Sequence, residues 1–172
     1  MSLLAVTVLG HDRPGIIADV TGAVADLGGN LEDSSMTLLR GHFAWTLIAD
    51  LDVPADDVAA RLAPLSDQGL VVSVLPVPVE EASPAAAGPA YLLSVHGGDR
   101  PGIVSRLTRV LADVGGNVTD LTTRLAGGMY VLLAEVDVPA DVDVAALQAR
   151  VTEVAHELGV DATLRPHDPD VL

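Results

Sequence analysis

Gly10-His11-Asp12-Arg13-Pro14-Gly15-Ile16 and Gly97-Gly98-Asp99-Arg100-Pro101-Gly102-Ile103 are two copies of one signal. Asp12 and Asp99 stand 87 positions apart, as do Gly28-Gly29-Asn30 and Gly115-Gly116-Asn117, so each half carries a turn and, 18 positions after its Asp, an Asn. Self-similarity at a fixed period settles the architecture before any local propensity is weighed. Farther along, Leu47-Ile48-Ala49-Asp50-Leu51-Asp52-Val53-Pro54-Ala55-Asp56 matches Leu132-Leu133-Ala134-Glu135-Val136-Asp137-Val138-Pro139-Ala140-Asp141 at an offset of 85. That change of offset predicts a first copy two residues longer near Leu38 to His42.

The pattern around the turn is strand, then helix. Leu3 to Leu9 alternates, with Leu4, Val6 and Val8 on one face, and stops at Gly10. From Pro14 the period changes to that of a helix, with Ile16, Val20, Ala23, Val24 and Leu27 on one stripe and Gly28-Gly29 closing it. Two extended runs follow, Leu31 to Leu39 and Phe43 to Val53, joined through Arg40-Gly41-His42. A second helical stripe (Val58, Leu62, Leu65) is weakened by Pro64 and closed by Gly69, and Leu70 to Val77 closes the unit as a strand.

The second half repeats this order. Its strands are Tyr91 to Val95, Val118 to Leu125, Tyr130 to Val138 and Val160 to Leu164. Its helices carry Ile103, Leu107, Leu111 and Val114, then Val144, Leu147, Val151, Val154 and Leu158. The expected division is a first domain over 1–79, a linker over 80–89 rich in Pro, Ala and Gly, and a second domain over 90–172. The class is α+β: two ferredoxin-like βαββαβ units, each an antiparallel four-stranded sheet with two helices on one face. The other sheet face shows too little polar alternation for a solvated surface, which points to pairing between units or chains.

Composition narrows the function. The chain has 172 residues, 49% of them hydrophobic, but one Phe, one Trp and two Tyr, so its cores are aliphatic and aromatic stacking is no recognition device. The formal charge of −15 comes from both halves, with 10 acids against 3 Arg in residues 1–79 and 12 against 6 in residues 90–172. A surface this negative, without a basic stripe, argues against direct contact with nucleic acid or anionic lipid. There is no Lys for Schiff-base chemistry and no Cys for a disulfide, a thiolate nucleophile or a Cys metal site. With neither a signal-peptide pattern nor a membrane span in the sequence, the expectation is a soluble, cytoplasmic protein.

The repeated turn is the candidate site. A strand that stops at Gly and enters a helix through Asp-Arg-Pro-Gly leaves the N–H groups of Gly15, Ile16 and Ile17 at a positive helix end, suited to a carboxylate. Gly15 and Gly102 allow close approach to the backbone, and Asn30 and Asn117 offer a donor and an acceptor. Together these groups suit a small zwitterion. The same residues also serve a structural reading in which Asp12 and Asp99 cap a helix, Pro14 and Pro101 set its first turn, and each Asn follows Gly-Gly because it tolerates a left-handed conformation. A turn Arg commonly pairs with neighbouring acids, and Phe43 and Trp45, two apart on one strand, read as core or subunit contact.

Two βαββαβ units with Gly-x-Asp-Arg-Pro-Gly-Ile at the first turn and Gly-Gly-Asn before the second strand resemble tandem ACT domains, the small-molecule sensing modules of amino-acid metabolism. The arrangement, without a catalytic domain, is similar to the glycine cleavage system transcriptional repressor family. The resemblance implies a regulatory protein that binds a small amino acid, with units paired side by side in a homodimer and the ligand held where the turn of one meets the strand region of its neighbour. It also implies an effector protein as partner, a transcription factor or a metabolic enzyme. Carried over by position, the ligand residues are Asp12, Arg13, Pro14, Gly15, Ile16, Asn30 and Leu31, and Asp99, Arg100, Pro101, Gly102, Ile103, Asn117 and Val118.

No constellation for catalysis is present: no Gly-x-Ser-x-Gly elbow, no phosphate loop, no dinucleotide fingerprint and no His-Glu-x-x-His. His11, His42, His96, His156 and His167 show no metal-ligand spacing and read as single imidazoles. No cofactor, metal or catalytic residue is expected. The rival to a sensor is a protein-interaction module that uses its sheet faces and has no small-molecule ligand.

Overall fold

Strand-forming alternation and helical stripes fall into place twice in the computed structural model of the chain, which describes residues 2–78 and 88–167. The chain divides into two units, Met1–Glu81 and Ala82–Leu172. The first runs β1 (Ser2–His11), α1 (Ile16–Asp26), β2 (Asn30–Leu39), β3 (His42–Leu51), α2 (Ala55–Asp67) and β4 (Val71–Val77). The second runs β5 (Ala90–Gly98), α3 (Ile103–Ala112), β6 (Asn117–Ala126), β7 (Met129–Asp137), α4 (Val144–Leu158) and β8 (Val160–Pro166). The sheets have the order β2-β3-β1-β4 and β6-β7-β5-β8, antiparallel throughout. Apart from Gly88 and Pro89, the linker expected over 80–89 lies outside the described residues.

Each sheet buries one face under its helices. In the first unit Leu4, Val6 and Val8 of β1 meet Phe43, Trp45, Leu47 and Ala49 of β3 and the stripes of α1 and α2 in one apolar cluster. The second core is built from Leu93 and Val95, Leu132, Ala134 and Val136, and the stripes of α3 and α4. Directly paired residues share a face, so β1 and its neighbours turn Leu9, Val71 and Leu75 outward, where they are 46, 67 and 61% exposed. The outer face of the second sheet is more polar: His96 lies 3.7 Å from Asp161, and His167, just beyond β8, lies 3.4 Å from Glu135. Among the described residues no helix is long and apolar enough to cross a membrane.

Two local expectations are corrected. The extra length expected near Leu38 to His42 is absent, because both hairpins turn through two residues, Arg40-Gly41 and Gly127-Gly128. The ladders keep the 87-residue offset through Asn30↔Asp50 and Asn117↔Asp137, and the copies diverge only afterwards and in the opposite sense: three residues part β3 from α2, six part β7 from α4. A two-residue slip preserves the inward and outward phase of a strand, which is why the shifted alignment looked equally good. Pro14 is not in the first helical turn: Gly15 takes φ +94° and α1 opens at Ile16. As its closing Gly69 leads one to expect, α2 runs through Pro64 to Asp67, since burial of Val58, Leu62 and Leu65 outweighs one missing hydrogen bond.

Candidate functional site

The turn after β1 is fixed at both ends. The Asp12 N–H donates to the Gly41 carbonyl at 3.1 Å, fastening it to the β2–β3 hairpin, and the Asp19 N–H donates to the Gly15 carbonyl at 2.8 Å, starting the helix. Ile16 is buried and anchors the turn in the core. The second copy has the same form, with Gly102 at φ +93°, the Arg106 N–H donating to its carbonyl at 3.0 Å and Ile103 buried. No side chain caps either helix start, so Asp12 and Asp99 do not fill the capping role the structural reading gave them. The first-turn N–H groups of α1 and α3 therefore face outward at positive helix ends.

Both turns border a concavity. In the first unit it measures about 480 Å³ and is lined by Asp12 to Ala18 together with Met36 of β2 and Phe43 of β3. In the second it is about 260 Å³, with Asp99, Arg100, Gly102 and Ile103 facing Tyr130 of β7. Phe43 belongs to the core, edge-on to Trp45 at 6.2 Å, and also walls the concavity, so it serves both purposes. Tyr130 occupies the equivalent place, 87 positions on, and brings a hydroxyl.

The two motif arginines reach back to the end of the second helix. Arg13 donates to Asp19 at 3.2 Å, to the Pro14 carbonyl at 3.2 Å and to Gln68, the residue that ends α2. Arg100 lies against Gly159, which ends α4: a Cβ built there would stand 3.1 Å from the guanidinium carbon. A cation at a helix C-terminus complements the dipole. The arginines thus hold the turn against the second helix.

Asn30 and Asn117 lie elsewhere. Each begins the second strand of its unit, beyond the far end of the first helix, and α1 alone spans about 16 Å. Within a unit the structure does not bring the turn and the Asn together. Leu31 and Val118, one residue on, pack against the cores. Asn117 and Val118 line a concavity of their own, about 450 Å³, with Thr108, Arg109 and Gly116.

Across the ladder from the two asparagines stand Asp50 and Asp137, which the sequence reading missed. Asp50 Oδ1 is buried and, among the described residues, has no hydrogen-bond partner. The signal was present, since these acids are 87 positions apart, but the shifted alignment set Asp137 against Asp52. Nor are all the histidines single: His11 and His42 face each other with ring centres 4.8 Å apart. Among the described residues, no three His, Cys, Asp or Glu side chains converge in a metal-binding group.

A family model of the ACT domain matches residues 2–68 and again residues 90–165. The glycine cleavage system transcriptional repressor of Escherichia coli is 24% identical over 168 residues, covering 94% of this chain and 88% of its own. A UPF0237 protein of Methanopyrus kandleri is 45% identical over 51 residues, 30% of this chain and 57% of that relative. Among solved structures, an unknown protein from Galdieria sulphuraria superposes with a TM-score of 0.80 at 28% identity, covering 97% of this chain and 99% of that one. A protein provisionally named glycine cleavage system transcriptional repressor superposes at 0.66 and 18% identity, covering 95% and 96%.

Proposed function

Because this chain belongs to the ACT domain family, with a match in each half, we propose that it is a non-catalytic regulatory protein that binds a small amino acid and through it modulates a partner protein. The observation that carries this reading is the glycine-bounded turn, repeated in both units, whose helix-end N–H groups open beside a concavity. Its donors suit a carboxylate, while Asn30 with Asp50 and Asn117 with Asp137 suit an ammonium group. Since those two sets lie at opposite ends of each unit, one ligand touches both only between two units paired side by side. A homodimer meets that requirement. The name of the Escherichia coli relative, a transcriptional repressor, supports a role in transcription regulation, and the charge of −15 supports action through a partner protein instead of contact with DNA.

Exposed Leu9, Val71 and Leu75 favour a second reading, in which the outer sheet face docks a protein and the turns bind nothing. Titrating the proteinogenic amino acids against the intact chain by calorimetry, with a parallel thermal-shift series, separates the two. Saturable binding of one of them, weakened at least tenfold by Asn30→Ala with Asn117→Ala, is the expected result. No heat and no shift with any amino acid at about 10 mM would leave the interaction module standing alone.

A further inference from the structure

His11 ends β1 and His42 begins β3, and the two are the last directly paired residues of that ladder. They are 31 positions apart in sequence, yet their rings lie side by side, centres 4.8 Å apart and planes inclined by 32°. Both side chains are exposed. The Asp12 N–H bond to the Gly41 carbonyl, one residue beyond each histidine, holds the two strand ends in this register. His96 and His167, by contrast, stand beside acids on the second sheet.

We propose that His11 and His42 form a two-imidazole site for a late first-row divalent metal ion, of the class Cu²⁺, Ni²⁺ and Zn²⁺, with water in the remaining coordination positions. Two imidazole nitrogens about 2.0–2.1 Å from one ion, at an angle between about 90° for a square-planar ion and about 109° for a tetrahedral one, set the ring centres about 4.5–5.2 Å apart. The observed separation lies within that range, so the backbone need not move for both rings to reach one ion. Neutral imidazole is the ligand these ions share, and among them Cu²⁺ binds most tightly. The site belongs to the first unit alone, because the second has Gly98 paired with Met129 at the equivalent positions. One ion per chain follows. It would bridge the end of β1 to the start of β3 directly beside the Asp12 turn.

The test is calorimetric titration of the intact chain with Cu²⁺ in a non-coordinating buffer, alongside electron paramagnetic resonance of the loaded protein. The expected result is one saturable site per chain, nitrogen splittings in the spectrum, and at least tenfold weaker binding in each of His11→Ala and His42→Ala. His96→Ala should bind as the parent does. All three substitutions are at exposed positions, and circular dichroism confirms that each variant is folded. Absence of saturable binding, or binding that survives in the His11→Ala/His42→Ala double variant, overturns the proposal. Survival would assign the ion to another donor such as the N-terminal amine.

Discussion

Gly15 and Gly102 show how much a single position decides. Both hold φ near +93°, where a side chain strains the backbone even in open space, and the nearest atoms to an added Cβ are 3.8 and 3.9 Å away. Gly15→Ala and Gly102→Ala are therefore each expected to lower stability by about 1–2 kcal/mol through the backbone alone. Urea denaturation followed by circular dichroism checks this, and an unchanged midpoint would mean that the turn tolerates a second conformation. Arg40 is the converse case. It occupies the left-handed region at φ +50° in a two-residue hairpin turn whose counterpart in the second unit is Gly127. Arg40→Asn should raise stability by about 0.5–1 kcal/mol, read from the same denaturation curves, because Asn enters that region at lower cost. The turn was legible in the sequence because its residues are contiguous. The destination of Arg13 was not, since Gln68 lies 55 positions away and only the fold brings it near.

At the scale of elements, the helices differ in how they start. The N-termini of α1 and α3 are capped by no side chain, whereas Asp143 caps α4, its Oδ1 accepting the Ala145 and Ala146 N–H groups at 3.0 and 3.1 Å. The start of α2, after Pro54, likewise has no side-chain cap, so α1 and α3 are set apart by the concavities that their first turns border. Asp143→Ala should cost about 1 kcal/mol, measured by thermal or urea unfolding, with amino-acid binding unaltered. A loss of binding in that variant would tie α4 to the site. Element order and type were readable because both cores are aliphatic and strictly periodic. The end of α2 was readable too, from Gly69, in spite of Pro64. The hairpin length was not, because a slip of two residues leaves strand phase intact.

At the scale of the molecule, duplication makes two units that are alike in fold and unequal in chemistry. The first has the larger concavity at its turn, a histidine pair and an apolar outer sheet face; the second has Tyr130 at its turn and imidazole–carboxylate contacts on its outer face. The residues alone revealed the turn and the Asn but neither the Asp opposite the Asn nor the separation, because an 18-residue spacing reads as proximity until the helix between them is drawn out; only the resemblance set the turn of one unit against the strand region of its neighbour. That separation makes ligand binding a question of assembly. If the turn of one chain meets the Asn–Asp pair of another, binding is linked to dimerisation, and the apparent affinity for the amino acid must fall as the protein is diluted. The stabilisation given by a fixed ligand concentration should likewise grow with protein concentration over a hundredfold range. Sedimentation velocity with and without ligand should show the dimer favoured when ligand is bound, since binding and association reinforce each other equally. An affinity independent of protein concentration, with no shift in sedimentation, would break the link between binding and dimerisation and leave the turn without the Asn–Asp pair of a second chain.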